Sequence, residues 1–540
     1  MAVALVALAA VPAARAATEP GGVIVRDVRI ERSPIFDEED QERFGWLPLS
    51  LVNDLHVDTR QGVIERELLF AEGEPLDPEH LQESERKLRG LGIFTAVEVE
   101  ARAAPGDSVD VVVRTQEVWS TSVDVGYESF EDERVWSLSL SERNLLGTAR
   151  RVDLQLDSGV DRSSWAVGLS DPQLFDGRWN GSVSWRDADD GNAIQWRLAR
   201  PYVSLTDRAT FGLSFSDRTA SPRYYIADGA YVRPQGEFTD VGVELGHRVG
   251  TTASRVWRGV VGFRLHSQDL SSEGSLAIET PRGTLDRRYE FPRDVPENES
   301  WRTVYLGVSQ RTRIYEELRF VRGMGKVEDI AFGPEFDLRL GWTTRALGST
   351  ESGLWVDLRS SWFGRSGRGW LHAASISSSG LVTGDGGRDL RVVADLQGYH
   401  RLRDGLTFAS GFRAGAISQA DRHQVFSLGL ESGLRAARFR EFNGDRLLRA
   451  NMELRAVYTP GLLDTFVPGV TLFADTGVAW FEDGRDFSPE DLRGAYGIGL
   501  RLGFVRAADD LPVRLDLAWP ALYDLDRSSP VISVGTGQVF

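Results

Sequence analysis

From residue 121 onward the chain alternates apolar and polar side chains with a period of two. Trp136, Leu138 and Leu140 are separated by Ser137 and Ser139, and Val152, Leu154 and Leu156 by Asp153 and Gln155. Near the C-terminus Tyr496, Ile498, Leu500, Leu502 and Phe504 alternate with Gly497, Gly499, Arg501 and Gly503, and Val513, Leu515, Leu517 and Trp519 with Arg514, Asp516 and Ala518. Successive side chains of a strand point to opposite faces, so the pattern predicts strands with one apolar and one polar face. Soluble sandwiches alternate too, but their strands usually run about five or six residues. Many runs here reach about nine to eleven, the length a tilted membrane strand requires. The polar positions decide between the two. Asp153, Asp157, Glu453, Arg455, Arg501 and Arg514 suit a wet lumen, with the apolar positions facing lipid. Closure into a cylinder also removes the sheet edges that lipid would not tolerate. Short turns such as 364–368 alternate with longer connections such as 217–239 and 268–299. Residues 119–540 are therefore expected to form a membrane all-β fold, an antiparallel transmembrane β-barrel.

Upstream the period changes. Residues 23–30 read as a strand, 63–70 as a helix closed by Gly73, and Asp77-Pro78 as an N-cap with proline in the first helical position. Leu81, Leu88 and Leu91 recur on one face of the helix that follows, and 94–99 and 109–113 alternate as strands. The order strand, helix, helix, strand, strand predicts a small α/β domain over residues 20–118, with 36–59 an insertion of unassigned structure. Ahead of it, residues 1–11 are apolar and Ala14-Arg15-Ala16 offers the small-x-small pattern of a signal peptide, residues 1–16, cleaved before Ala17.

Composition narrows the chemistry. The 540 residues carry 62 Lys+Arg and 80 Asp+Glu, a formal charge of −18, which argues against nucleic acid as a partner. Beyond the N-terminus no apolar run approaches the roughly 20 residues of a membrane-spanning helix. Cysteine is absent, so thiolate catalysis and Cys-ligated metals are excluded. The seven His (56, 80, 247, 266, 372, 400, 423) show no pair at metal-ligand spacing, and neither a G-x-S-x-G elbow nor a P-loop occurs. No metal, cofactor or enzymatic activity is expected. The basic cluster Arg311, Arg313, Arg319, Arg322 and Lys326 reads as a solvated turn, with lipid phosphates as the alternative contact.

Residues 88–94, Leu-Arg-Gly-Leu-Gly-Ile-Phe, followed by Val97, resemble the "L-x-x-x-G-x-F-x-x-V" junction of POTRA domains, with Leu88, Gly92, Phe94 and Val97 as signature positions. Such domains lie in the periplasm and pair extended peptides with their sheet edges. Further on, Gly126-Tyr127, the turn Asn144-Leu145-Leu146-Gly147-Thr148, the pair Asp171-Pro172, the stretch Phe473-Ala474-Asp475-Thr476-Gly477 and the terminal Phe540 together resemble the BamA/TamA superfamily, also called bacterial surface antigen proteins. That resemblance implies 16 barrel strands, although roughly 20 spans can be marked by alternation. It also implies a loop folded into the lumen. Here its motif stands as 426–437, with Arg435 retained and Ala436 and Ala437 in place of a glycine and an aromatic. In the family this arginine contacts acidic residues on the inner wall, at positions matching Glu453 and Asp475. A guanidinium can fork onto carboxylates and pin such a loop. The resemblance further implies a weak lateral seam between 121–129 and 531–540, marked by Tyr127, Gly535, Gly537 and Phe540.

The implied function is insertion or translocation of unfolded client polypeptides at the bacterial outer membrane by a monomeric barrel in contact with lipid and with periplasmic accessory proteins. A passive pore, a surface-exposed structural antigen, and a dedicated two-partner secretion transporter are the alternatives.

Overall fold

The computed structural model describes residues 23–538 except 45, 47–48, 131–132, 176, 203, 205–206, 228–229, 272–274, 281–282, 291–297, 368, 419–423, 460, 483–486, 509–510 and 523–528. The expected signal peptide and Phe540 lie outside the described residues.

Among the described residues twenty antiparallel strands close into a barrel, from Thr121–Phe130 to Val531–Thr536. The count agrees with the roughly 20 spans marked by alternation and corrects the 16 implied by the resemblance. Alternation sorts the side chains as expected. Leu138, Leu140, Val167, Leu306, Met452 and Leu472 stand exposed on the outer surface, while Glu453, Asp475, Arg501 and Asp516 turn inward and are buried. An apolar outer band of this extent would be a severe liability in water, where patches seldom exceed a few hundred Å². Against hydrocarbon it is the stable arrangement.

Several strands outrun the membrane, Gly386–Arg403 reaching 18 residues. At the end away from the N-terminal domain stands a four-stranded sheet (224–227, 230–232, 275–280, 283–290). Asp171-Pro172 sits inside the strand Ser163–Leu174 at a register shift, where a proline without an N–H is tolerated.

The N-terminal domain is a three-stranded sheet in which Ile24–Ser33 pairs in parallel with Ser108–Glu117, itself antiparallel to Phe94–Ala104. Helices Gln61–Glu67 and Pro78–Gly90 cover it. The first ends sooner than the 63–70 pattern suggests, Leu68 already being extended. Asp77 accepts the N–H of Glu79, as an N-cap should. Leu88, Phe94 and Val97 are buried in one core with Val25, Ile64 and Val113. Gly92 turns the chain between helix and strand at φ +70°, a conformation that favours glycine.

The insertion 36–59 contains two short helices, Glu38–Arg43 and Leu49–Leu55, and docks the domain on the barrel. Asp40 receives a fork from Arg506 (2.5 and 2.9 Å), and Arg43 reaches Asp464 (2.5 Å). The turn 144–148 completes the contact: Asn144 Nδ2 donates to Thr59 Oγ1 (2.9 Å) and Arg60 N to Gly147 O (2.9 Å). At Gly147, φ is +70° and a Cβ would collide with the Asp58 carbonyl, so only glycine fits this close approach.

Candidate functional site

Residues 424–445, which precede the strand Arg446–Val457, fold into the lumen. A small ladder, Phe426–Leu428 with Phe442–Gly444, forms its stem, and a single helical turn, Leu430–Ser432, leads to the buried run Leu434, Arg435, Ala436, Ala437. Arg435 is 1% exposed. Its Nε and Nη2 fork onto Asp475 at 2.7 and 2.8 Å, and Nη1 donates to Glu453 at 2.8 Å. The guanidinium also lies 3.5 Å from the centre of the Phe473 ring, a stacked cation–π contact in a desolvated setting. Glu453, Asp475 and Phe473 come from two neighbouring strands at inward positions two residues apart or opposite one another.

The network is wider than the sequence motif. Asn451 Nδ2 bridges Gly433 O (2.8 Å) and Asp475 (2.7 Å). Arg455 donates to Glu453 (2.8 Å), Arg501 to Asp516 (2.6 Å) and Arg514 to Asp516 (2.9 Å). Arg514 in turn lies 3.7 Å from Glu128 on the first barrel strand. The arginines 435, 455, 501 and 514 thus face Glu453, Asp475, Asp516 and Glu128, a balanced set. Burial without such pairing would be prohibitive.

Asp516 and Asn451 were not singled out from the sequence as loop contacts; their period-two inward phase was the available signal. Ala436 and Ala437 do not loosen the loop. Ala436 packs with Phe130, Phe473, Ala518 and Val531, and Ala437 with Ile417, Phe426 and Leu447, so neighbouring side chains fill the space an aromatic would take.

The seam lies beside this cluster. Among the described residues the last strand pairs with the first at three positions, Ile532 with Ser129, Ser533 with Glu128 and Val534 with Tyr127. Tyr127 faces outward, 38% exposed. Gly535 pairs with Arg514 on the other neighbour and does not reach the first strand. Gly537, at φ +84°, ends the ladder, its N–H donating to Pro512 O at 2.9 Å. Phe130 and Val531, one from each side of the seam, share the apolar cluster under Ala436. The loop therefore touches both edges.

No family model matches the chain. The outer membrane protein assembly factor BamA of Neisseria meningitidis serogroup B is 30% identical over 128 residues, 22% of this chain and 16% of that protein. BamA of Neorickettsia risticii is 28% identical over 120 residues, with the same shares. Over that segment the chain is similar to BamA. The match spans about a sixth of the length of these curated relatives. Among solved structures, CdiB from Escherichia coli aligns with a TM-score of 0.44 at 13% identity, covering 98% of this chain and 93% of CdiB.

Of the basic cluster read as a solvated turn, Arg319 and Arg322 are exposed, whereas Arg311, Arg313 and Lys326 are half-buried. Residues 315–331 form a hairpin at the domain end whose tip enters the lumen, and Lys326 donates to Ala507 O.

Proposed function

We propose that this outer-membrane barrel assists insertion or translocation of client polypeptides, without covalent catalysis, and that its N-terminal domain is a POTRA-like module on the periplasmic side, where unfolded clients and accessory proteins arrive. One observation carries the reading: a buried, charge-neutral anchor holds the lumen loop against both sides of a seam that, among the described residues, is three pairs long. Most neighbouring strands in this barrel pair over eight or more positions, so the seam is where backbone N–H and C=O groups are released at least cost. Freed edges template an incoming strand by backbone hydrogen bonding. The sequence kinship with BamA supports the same reading.

The test is assembly of an unfolded outer-membrane client in proteoliposomes containing the full chain, followed by protease protection of the client. Cysteines placed at the opposed pair Ser129 and Ile532 lock the seam when oxidised. Assembly that stops on oxidation and returns on reduction supports the proposal. Assembly indifferent to the lock refutes seam opening, and a chain that conducts ions but never accelerates assembly is a passive pore. Activity confined to one secreted partner would mark a two-partner transporter.

A further inference from the structure

The hairpin between the strands Asn298–Thr312 and Gly333–Thr343 is a packed element rather than a surface turn. Its arms, Tyr315–Leu318 and Glu328–Ala331, pair over four positions. The tip is rigid, because the Glu328 carboxylate accepts the consecutive N–H groups of Val321 (3.0 Å), Arg322 (3.0 Å) and Gly323 (3.2 Å). Val321 and Ile330 pack against Phe363, Tyr399 and Ala409 on the lumen side of the wall. Met324, 4% exposed, lies across Gly469 and Gly503, so closely that a Cβ on Gly503 would come within 2.6 Å of its own Cβ. Rooted between the tenth and eleventh strands, the hairpin thus reaches the seventeenth and eighteenth, lying along that side of the domain-facing mouth.

Two further contacts give it a lever at each end. At its root, Arg89 of the domain helix Pro78–Gly90 forks onto Asp329 (2.8 Å twice) and also reaches Glu317 (2.8 Å), so one guanidinium ties both arms. Arg86 lies 4.1 Å over the Tyr315 ring. At the tip, Arg455, the partner of Glu453, has its Nη1 3.5 Å from Val321 O.

We propose that the hairpin 315–331 is a plug across the domain-side mouth, latched by Arg89, so that displacement of the N-terminal domain opens the lumen. A latch of this kind is a coupling between two positions that each bias one two-state element. The idea stands apart from client assembly, since ion flow through the lumen needs no client.

The experiment measures ion current through the full chain in planar bilayers. Arg89→Ala should raise the mean current about tenfold, within the range usual for coupled sites. The chain has no cysteine of its own, so the pair Met324→Cys and Gly503→Cys can be oxidised without competition. A disulfide needs about 3.5–4.5 Å between Cβ atoms, which the site reaches by easing apart about 1 Å. In the Arg89→Ala background, oxidation should return the current to the wild-type level and reduction should raise it again, all in one folded sample. The proposal is overturned if the disulfide does not form, if it forms and leaves the raised current unchanged, or if Arg89→Ala leaves the current as in the wild type.

Discussion

Arg435→Ala deletes a guanidinium that makes three charge-assisted hydrogen bonds at 1% exposure. The loss falls unevenly. Glu453 keeps Arg455 at 2.8 Å, whereas Asp475 keeps the neutral amide of Asn451 as its hydrogen-bond partner among the described residues. Removing one partner of a buried pair costs about 3–5 kcal/mol, because the other charge stays behind. That cost does not unfold the barrel, whose strands are tied by their own ladders. It instead favours release of the loop 424–445 from the wall, where Asp475 regains water. Since each 1.4 kcal/mol is about tenfold, the released population should rise by roughly two to three orders of magnitude. Trypsin cleavage after Arg438 or Arg440 reports it, because cleavage follows the open population when reclosing is fast. The barrel itself is checked by its resistance to denaturation on unheated gels. Asp475→Asn added to Arg435→Ala should recover much of the protection, as the stranded charge is gone. Equal cleavage of wild type and Arg435→Ala in an intact barrel would refute the reasoning, since the anchor would then hold nothing.

Further expectations concern the outer wall and the domain. Leu472→Arg sets a charge on the lipid face at an exposed mid-strand position and should cost about 2–4 kcal/mol if it lies near the midplane, measured by urea-dependent folding into liposomes. Gly147→Val should separate the turn 144–148 from Asp58 and Arg60, read as faster proteolysis in the segment 118–120 with the barrel unchanged. In the N-terminal domain, Asp110 is hydrogen-bonded by Arg26, which lowers its pKa below the ordinary aspartate value. A depressed carboxylate contributes stability above its unfolded pKa, about 3.9, and loses it as the pH falls through the lower folded value. Asp110→Asn should therefore flatten the acid limb of the domain's unfolding curve, and an unchanged limb would remove this pair from the account.

Much of this architecture was legible in the chain because side-chain period is a local property. The inward phase of Glu453 follows from Met452 and Leu454 on either side of it, and the capping Asp77-Pro78 announces its helix within two residues. Alternation marks roughly 20 spans, the number that closes the barrel, whereas the 16 implied by the resemblance falls short. Which runs pair around the cylinder, and which belong to the four-stranded outer sheet, is not a local property. The anchor partners Asp516 and Asn451 lie 81 and 16 positions from Arg435, on strands whose register no local pattern specifies. The basic cluster 311–326 shows the same limit. Arg319 and Arg322 are exposed, as a solvated turn would have them, but Val321 and Met324 between and beside them find their burial on strands far along the chain.

The three pairs that close the cylinder join segments roughly 400 residues apart in sequence. Nothing downstream of Ser129 can complete the ring until the final stretch has been made and delivered. A newly made chain must therefore pass through a state in which most of the wall exists as a curved ribbon with two raw borders, and such long-range pairing is intrinsically slow. Until the last strand arrives those borders offer unpaired N–H and C=O groups, and this interval is when the chain is most open to wrong pairing.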